Sequence, residues 1–129
     1  LELYQQGLAA GLRPEQMILD PVVAPLIWQD GLQRNRDLLH ILQRLPELLD
    51  FPVRSIVGLS NLTTGLSSQI PRRHLEQAFL PMLASAGLSW VLLDIHHHEA
   101  VTSARLCRIL LKDDIFAWDT VTNVSAHHS

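Results

Sequence analysis

Cysteine is nearly absent: Cys107 stands alone in 129 residues. That excludes an internal disulfide and fits a reducing, cytoplasmic setting. An excess of one charge is also lacking. Ten Lys and Arg stand against 13 Asp and Glu, a formal charge of −3, with both signs mixed along the chain. No basic stripe forms, which argues against a nucleic-acid binder. No apolar run approaches the roughly 18 residues needed to cross a bilayer, so no membrane span is expected. The opening Leu1-Glu2-Leu3-Tyr4 lacks the basic region and cleavage site of a signal peptide. It also lacks an initiating Met, and Leu1, Tyr4, Leu8 and Leu12 recur at helical spacing up to Gly11 and Arg13-Pro14. A helix that begins with no cap before it suggests truncation upstream.

What is present is an apolar fraction of 47%, enough for one domain with a real core. Met17-Ile18-Leu19, closed by Asp20-Pro21, reads as a short buried parallel strand. Pro21 and Pro25 impose an extended segment, and Asp30-Gly31 marks a turn. Leu38, Ile41, Leu42, Leu45, Leu48 and Leu49 then follow at the spacing of an amphipathic helix, which Pro46 should kink or end early. Val53 to Leu59 predicts a second strand, followed by a polar loop up to Gln69. A helix comes next, with Pro71 in its first turn and Leu75, Phe79, Met82, Leu83 and Ala86 along one face. Pro81 predicts a bend in it, and Gly87 its stop. Trp90 to Leu93 predicts a third strand ending in Asp94. A last helix over residues 97–111 carries Val101, Ala104, Arg108 and Leu111 near one face. The polar residues 119–129 read as a disordered tail.

The order α-β-α-β-α-β-α with short connections means a parallel sheet. Three strands cannot close a barrel, and an eight-stranded one needs roughly 250 residues. The pattern therefore fits either a piece of a barrel or a small sheet sandwiched by four helices. Each predicted strand ends in polar residues: Asp20, then Ser60 and Asn61, then Asp94. In parallel α/β folds that edge is where ligands bind, because the βα loops converge there. Singly, each is an ordinary turn or helix-cap residue. Three in register on consecutive strands favour a site.

Gly58-Leu59-Ser60-Asn61, with Thr63, Thr64 and Gly65-Leu66 after it, resembles the strand-loop signature of the methyltetrahydrofolate:corrinoid protein methyltransferases. Phe79-Leu80-Pro81-Met82, Ala86-Gly87-Leu88 and Leu92-Leu93-Asp94 look like the next unit of that family, and Ala10 to Glu15 with Ile18-Leu19-Asp20-Pro21 like the preceding one. Ala104 to Leu111 with Asp113-Asp114 resembles its last helix and exit, so the resemblance runs over residues 1–118. It departs from the family at Glu76-Gln77, where an Asn-Arg pair is usual, at Ser89, at Pro81 and at Ile95-His96 after the last strand. The implied fold is α/β: the C-terminal part, about three strands and four helices, of a pterin-binding (β/α)8 TIM barrel, covering residues 1–118. The implied activity is transfer of the N5-methyl group of methyltetrahydrofolate to the cobalamin (corrinoid) cofactor of a partner protein. Asp20 then faces the amino-pyrimidinone edge of the pterin, whose two N–H donors suit a carboxylate. Asn61 is the asparagine beside N5 and the catalytic candidate, its hydrogen bond strengthening as positive charge builds on that nitrogen. Gly58 lets the ring approach the backbone, and Ser60 and Asp94 complete the substrate-binding set. The implied partners are the corrinoid protein and either a missing N-terminal half-barrel or a second copy of the chain. Two alternatives stand beside this one. The first is a non-catalytic half-barrel that folds by pairing with another chain. The second is a relative of dihydropteroate synthase, whose Ser-Arg-Lys loop the sequence lacks.

Four further signals have plainer explanations. His96-His97-His98-Glu99 invites a metal, but adjacent residues at a helix start point in different directions, so no metal site is expected. Arg72-Arg73 at a helix start reads as solvated surface, Cys107 as a small core residue, and Trp28 as a packing residue near Pro25.

Overall fold

The computed structural model describes residues 2–111. Residue 1 and residues 112–129 lie outside it, and with them the expected tail over 119–129 and the exit at Asp113-Asp114. The elements follow in the expected order: α1 (Glu2–Ala9), β1 (Ile18–Leu19), α2 (Gly31–Leu49), β2 (Arg54–Gly58), α3 (Arg72–Ser85), β3 (Trp90–Leu92) and α4 (His98–Leu110). Short 3-10 turns occupy Pro14–Gln16 and Leu59–Thr63. All three strands are parallel, in the spatial order β1-β2-β3.

The ladder aligns Ile18 with Arg54, Leu19 with Ser55, Ile56 with Trp90, Val57 with Val91 and Gly58 with Leu92. Because side chains alternate along a strand, Leu19, Ser55, Val57 and Val91 share one face, and Ile18, Arg54, Ile56, Gly58, Trp90 and Leu92 the other. The first face carries the core. Val57 and Leu59 meet Leu38 and Leu42 of α2, Phe79, Leu80 and Leu83 of α3, and Ala100 of α4 in one apolar cluster. A second cluster joins Tyr4 of α1 to Met17 and Val53. All four helices thus contribute on that side. The other face is open: Ile18 is 43% exposed, Trp90 47% and Leu92 63%. The described residues form a two-layer α/β sheet rather than a sheet sandwiched between helices.

Several sequence expectations change. β1 is two residues long with Ile18 exposed, not a buried strand. It lies at the sheet edge, and the turn at Pro21 stops it. Helix α2 begins at Gly31, well before Leu38, and runs through Pro46 to Leu49. Helix α3 likewise continues past Pro81 to Ser85, with Pro71 at its N-cap position rather than in its first turn. Both prolines are exposed. A proline in a helix interior costs about 3 kcal/mol, and burying Phe79, Leu80 and Leu83 around Pro81, at about 1.5–3 kcal/mol each, outweighs it. Met82, expected on the inner face of α3, is 52% exposed, and Leu80 is buried in its stead. On α4 the inner face is Ala100, Ala104 and Cys107, while Arg108 and Leu111 point outward. Among the described residues no helix is long and apolar enough to cross a membrane.

Candidate functional site

Parallel strands in sequential order bring all three C-terminal ends to the same edge of the sheet, and with them Asp20, Gly58, Ser60, Asn61 and Asp94. Asp20, Ser60, Asn61 and Asp94 are exposed and Gly58 is half-buried. Each was named from the sequence, and local structure explains how each is held.

Asp20 ends β1 in a turn closed by its own side chain: Oδ1 accepts the Val22 N–H at 2.8 Å. The turn requires a left-handed backbone at Val22, with φ of 64°. A β-branched residue in that region is strained by about 1–2 kcal/mol. Among the described residues the second carboxylate oxygen of Asp20 has no hydrogen-bond partner. Beyond the turn the loop is rigid. Asn35, 3% exposed on α2, accepts the Ala24 N–H at 2.8 Å and donates to the Ala24 carbonyl at 2.9 Å. Leu26 N–H donates to the Leu62 carbonyl at 3.0 Å, tying this loop to the one after β2. Gly31 makes the fit possible, since a Cβ there would stand 2.1 Å from the Pro25 carbonyl oxygen.

Asn61 lies on the 3-10 turn after β2. Leu59, Leu62 and Thr63 of that turn are buried, which fixes the turn on the core and leaves Ser60 and Asn61 outside. Among the described residues the Asn61 side-chain amide has no hydrogen-bond partner. It lies over Gly58: the three atoms nearest a Cβ built on Gly58 all belong to the Asn61 amide, Nδ2 being closest at 3.6 Å. Glycine is therefore not demanded there by backbone conformation or by crowding. Its effect is an open notch in the sheet surface beneath the Asn61 amide. The Ser60 carbonyl accepts from the Thr64 hydroxyl at 3.2 Å, bracing the turn from behind.

Asp94 repeats the device of Asp20, with Oδ1 accepting the His96 N–H at 2.9 Å. Its carbonyl also accepts the His97 N–H at 2.9 Å. Two carboxylates thus stand at the rim of one sheet edge, each oriented by a backbone N–H on one oxygen. At the other end of the open face, the Arg54 guanidinium lies 5.3 Å from the Trp90 ring centroid and donates to the Glu15 carbonyl at 2.6 Å. The rim is anionic, the middle apolar and the far end cationic.

Sequence reasoning missed Asn35, the strained Val22 and the Arg54–Trp90 stack. Asn35 did leave a trace, standing in the spacing of Gly31, Leu38 and Leu42, the buried stripe of α2. His97, one of the three adjacent histidines at the helix start, is 3% exposed, and its Nε2 is buried without a hydrogen-bond partner. Among the described residues no group of three or more His, Cys, Asp or Glu is arranged to hold a metal ion. Trp28 is 49% exposed under the Arg34 guanidinium, 5.6 Å away, and not a core residue. Ser89, a departure from the resemblance, exchanges hydrogen bonds with Ser55: each backbone N–H donates to the other's hydroxyl, at 3.0 and 3.3 Å. That pair locks the entry of β3 to β2. Comparison with known proteins adds nothing to this picture, for the chain matches no protein-family model and no curated protein.

Proposed function

We propose that this chain is a segment of a pterin-binding barrel that serves methyl transfer from methyltetrahydrofolate to a corrinoid protein. The observation that carries the reading is the sequential parallel sheet with helices on one face only. A barrel wall is built that way, with its inner surface bare until the remaining strands close it. The open face of this sheet corresponds to such an inner surface, and the residues singled out for chemistry sit at its C-terminal rim.

The donor set suits a reduced pterin. The free oxygen of Asp20 accepts from the ring's N–H edge as a charge-assisted bond. The unengaged Asn61 amide holds N5 across the notch at Gly58, and its carbonyl accepts a stronger hydrogen bond as N5 gains a proton. An interaction that strengthens only as that charge develops lowers the barrier rather than merely improving binding. The corrinoid cobalt, carried by the partner protein, accepts the methyl group. Ser60 and Asp94 border the ring on the side of β3.

The test is a titration of methyltetrahydrofolate into the purified chain, its Asn61→Ala variant and its Asp20→Asn variant. Saturable binding is expected, with each substitution weakening it by about 1 kcal/mol or more, the scale of a lost hydrogen bond. A folded chain that binds no folate sinks the reading. A second reading has its own observation. The apolar open face also fits a non-catalytic half-barrel held by another chain, which predicts association without folate binding.

A further inference from the structure

We infer that Leu92 is the apolar wall of the pterin slot. The inference rests on the pterin reading and deepens it. Leu92 is the ladder partner of Gly58 on the adjacent strand. Partners in a parallel ladder project to the same side, and neighbouring strands run about 4.8 Å apart. The Leu92 side chain therefore borders the space that a side chain at position 58 would fill. The atoms nearest to that space are those of the Asn61 amide, at 3.6–3.9 Å, which is ordinary van der Waals contact. Three surfaces bound the notch: the Gly58 backbone as floor, the Asn61 amide on one side and the Leu92 isobutyl group on another.

Leu92 stands 63% exposed, more than Ile18 or Trp90 on the same face. Its neighbours Val91 and Leu93 on the covered side pack against the core and it does not. A flat heterocycle lying on Gly58 with an edge at Asn61 covers it, and so converts an exposed leucine into a buried contact. The polar edges of the ring are met by Asp20 and Asn61, which leaves the wall to recognise its apolar flank.

The test measures methyltetrahydrofolate binding to the full chain and to Leu92→Ala, Leu92→Trp, Ile18→Ala and Asn61→Ala. Ile18→Ala is the control, since it removes an exposed aliphatic group from the same open face but away from Gly58. Leu92→Ala is expected to raise Kd about tenfold, corresponding to 1.4 kcal/mol, and Leu92→Trp to abolish binding by filling the notch. Ile18→Ala should bind as the parent does. Melting temperatures of the two Leu92 variants should match the parent, because the side chain is exposed. If the parent binds and Asn61→Ala weakens it, while both Leu92 variants bind normally, the wall is wrong and the site stands. Equal weakening by Ile18→Ala also overturns the wall, since the loss then belongs to the whole face. A parent chain that does not bind removes the site and the wall together.

Discussion

Two positions in the loop after β1 show strain and fit pulling in opposite directions. At Gly31 the Pro25 carbonyl oxygen occupies the place of a Cβ, at 2.1 Å. Gly31→Ala must therefore push the loop off α2. A loss of about 2 kcal/mol is expected in urea denaturation, in the range of overpacked sites. Val22 is the reverse case. Its φ of 64° suits glycine, yet the position carries an exposed β-branched side chain. Val22→Gly relieves about 1–2 kcal/mol of backbone strain and gives back part of it through a more flexible unfolded chain. A net gain of about 0.5–1 kcal/mol is expected, read as a higher urea midpoint with unchanged slope. The turn that strains Val22 is the one in which Asp20 Oδ1 accepts the Val22 N–H. Asn35 belongs to the same locked loop. Asn35→Ala leaves the Ala24 N–H and carbonyl buried without partners, and a loss of about 2–3 kcal/mol should follow.

At the scale of elements, helix α2 shows what a sequence makes legible and what it hides. Its second half was readable because Leu38, Leu42 and Leu45 recur at helical spacing on one face. Its first half was not, because Leu32 to Asp37 is polar apart from one exposed leucine, and Asn35 there is held by a backbone partner 11 residues away. Tertiary contact, not periodicity, extends the helix to Gly31. The same division runs through the site. Asp20, Asn61 and Asp94 could be placed because strand ends are marked by a change from apolar to polar residues. The notch between Gly58 and Leu92 could not, because ladder register is set by packing between strands distant in sequence. The start of α2 also carries a pH dependence. Arg34 Nε donates to Asp30 Oδ2 at 2.6 Å, and this hydrogen bond holds the Asp30 carboxyl below its usual range. A carboxyl lowered in the folded state contributes stability above its unfolded pKa of about 4, and that contribution disappears as pH falls through the folded value. In Asp30→Asn, the decline of melting temperature below about pH 4 should be slightly shallower than in the parent. The effect is small because the pair is exposed and screened by solvent.

For the whole molecule, the open face and the two sheet edges act together. Parallel sheets are ordinarily covered on both faces, and here one face presents Ile18, Trp90 and Leu92 to solvent. Among the described residues neither β1 nor β3 has a second neighbour in the sheet. Water satisfies the edges, but the exposed apolar surface favours association with any complementary face. The full chain is expected to sediment above its monomer mass of 14.5 kDa at micromolar concentration. Trp90→Lys combined with Ile18→Lys should return it to the monomer by placing two cations beside Arg54 on that face. Equal sedimentation of parent and variant would mean that the face is not the contact. Linkage then joins assembly to the site. A ligand that touches two copies at once binds the associated form more tightly, and association tightens ligand binding by the same factor. If a second copy completes the wall around Gly58 and Asn61, methyltetrahydrofolate should shift the boundary toward the larger species. In a half-barrel with no ligand site the boundary should not respond to folate.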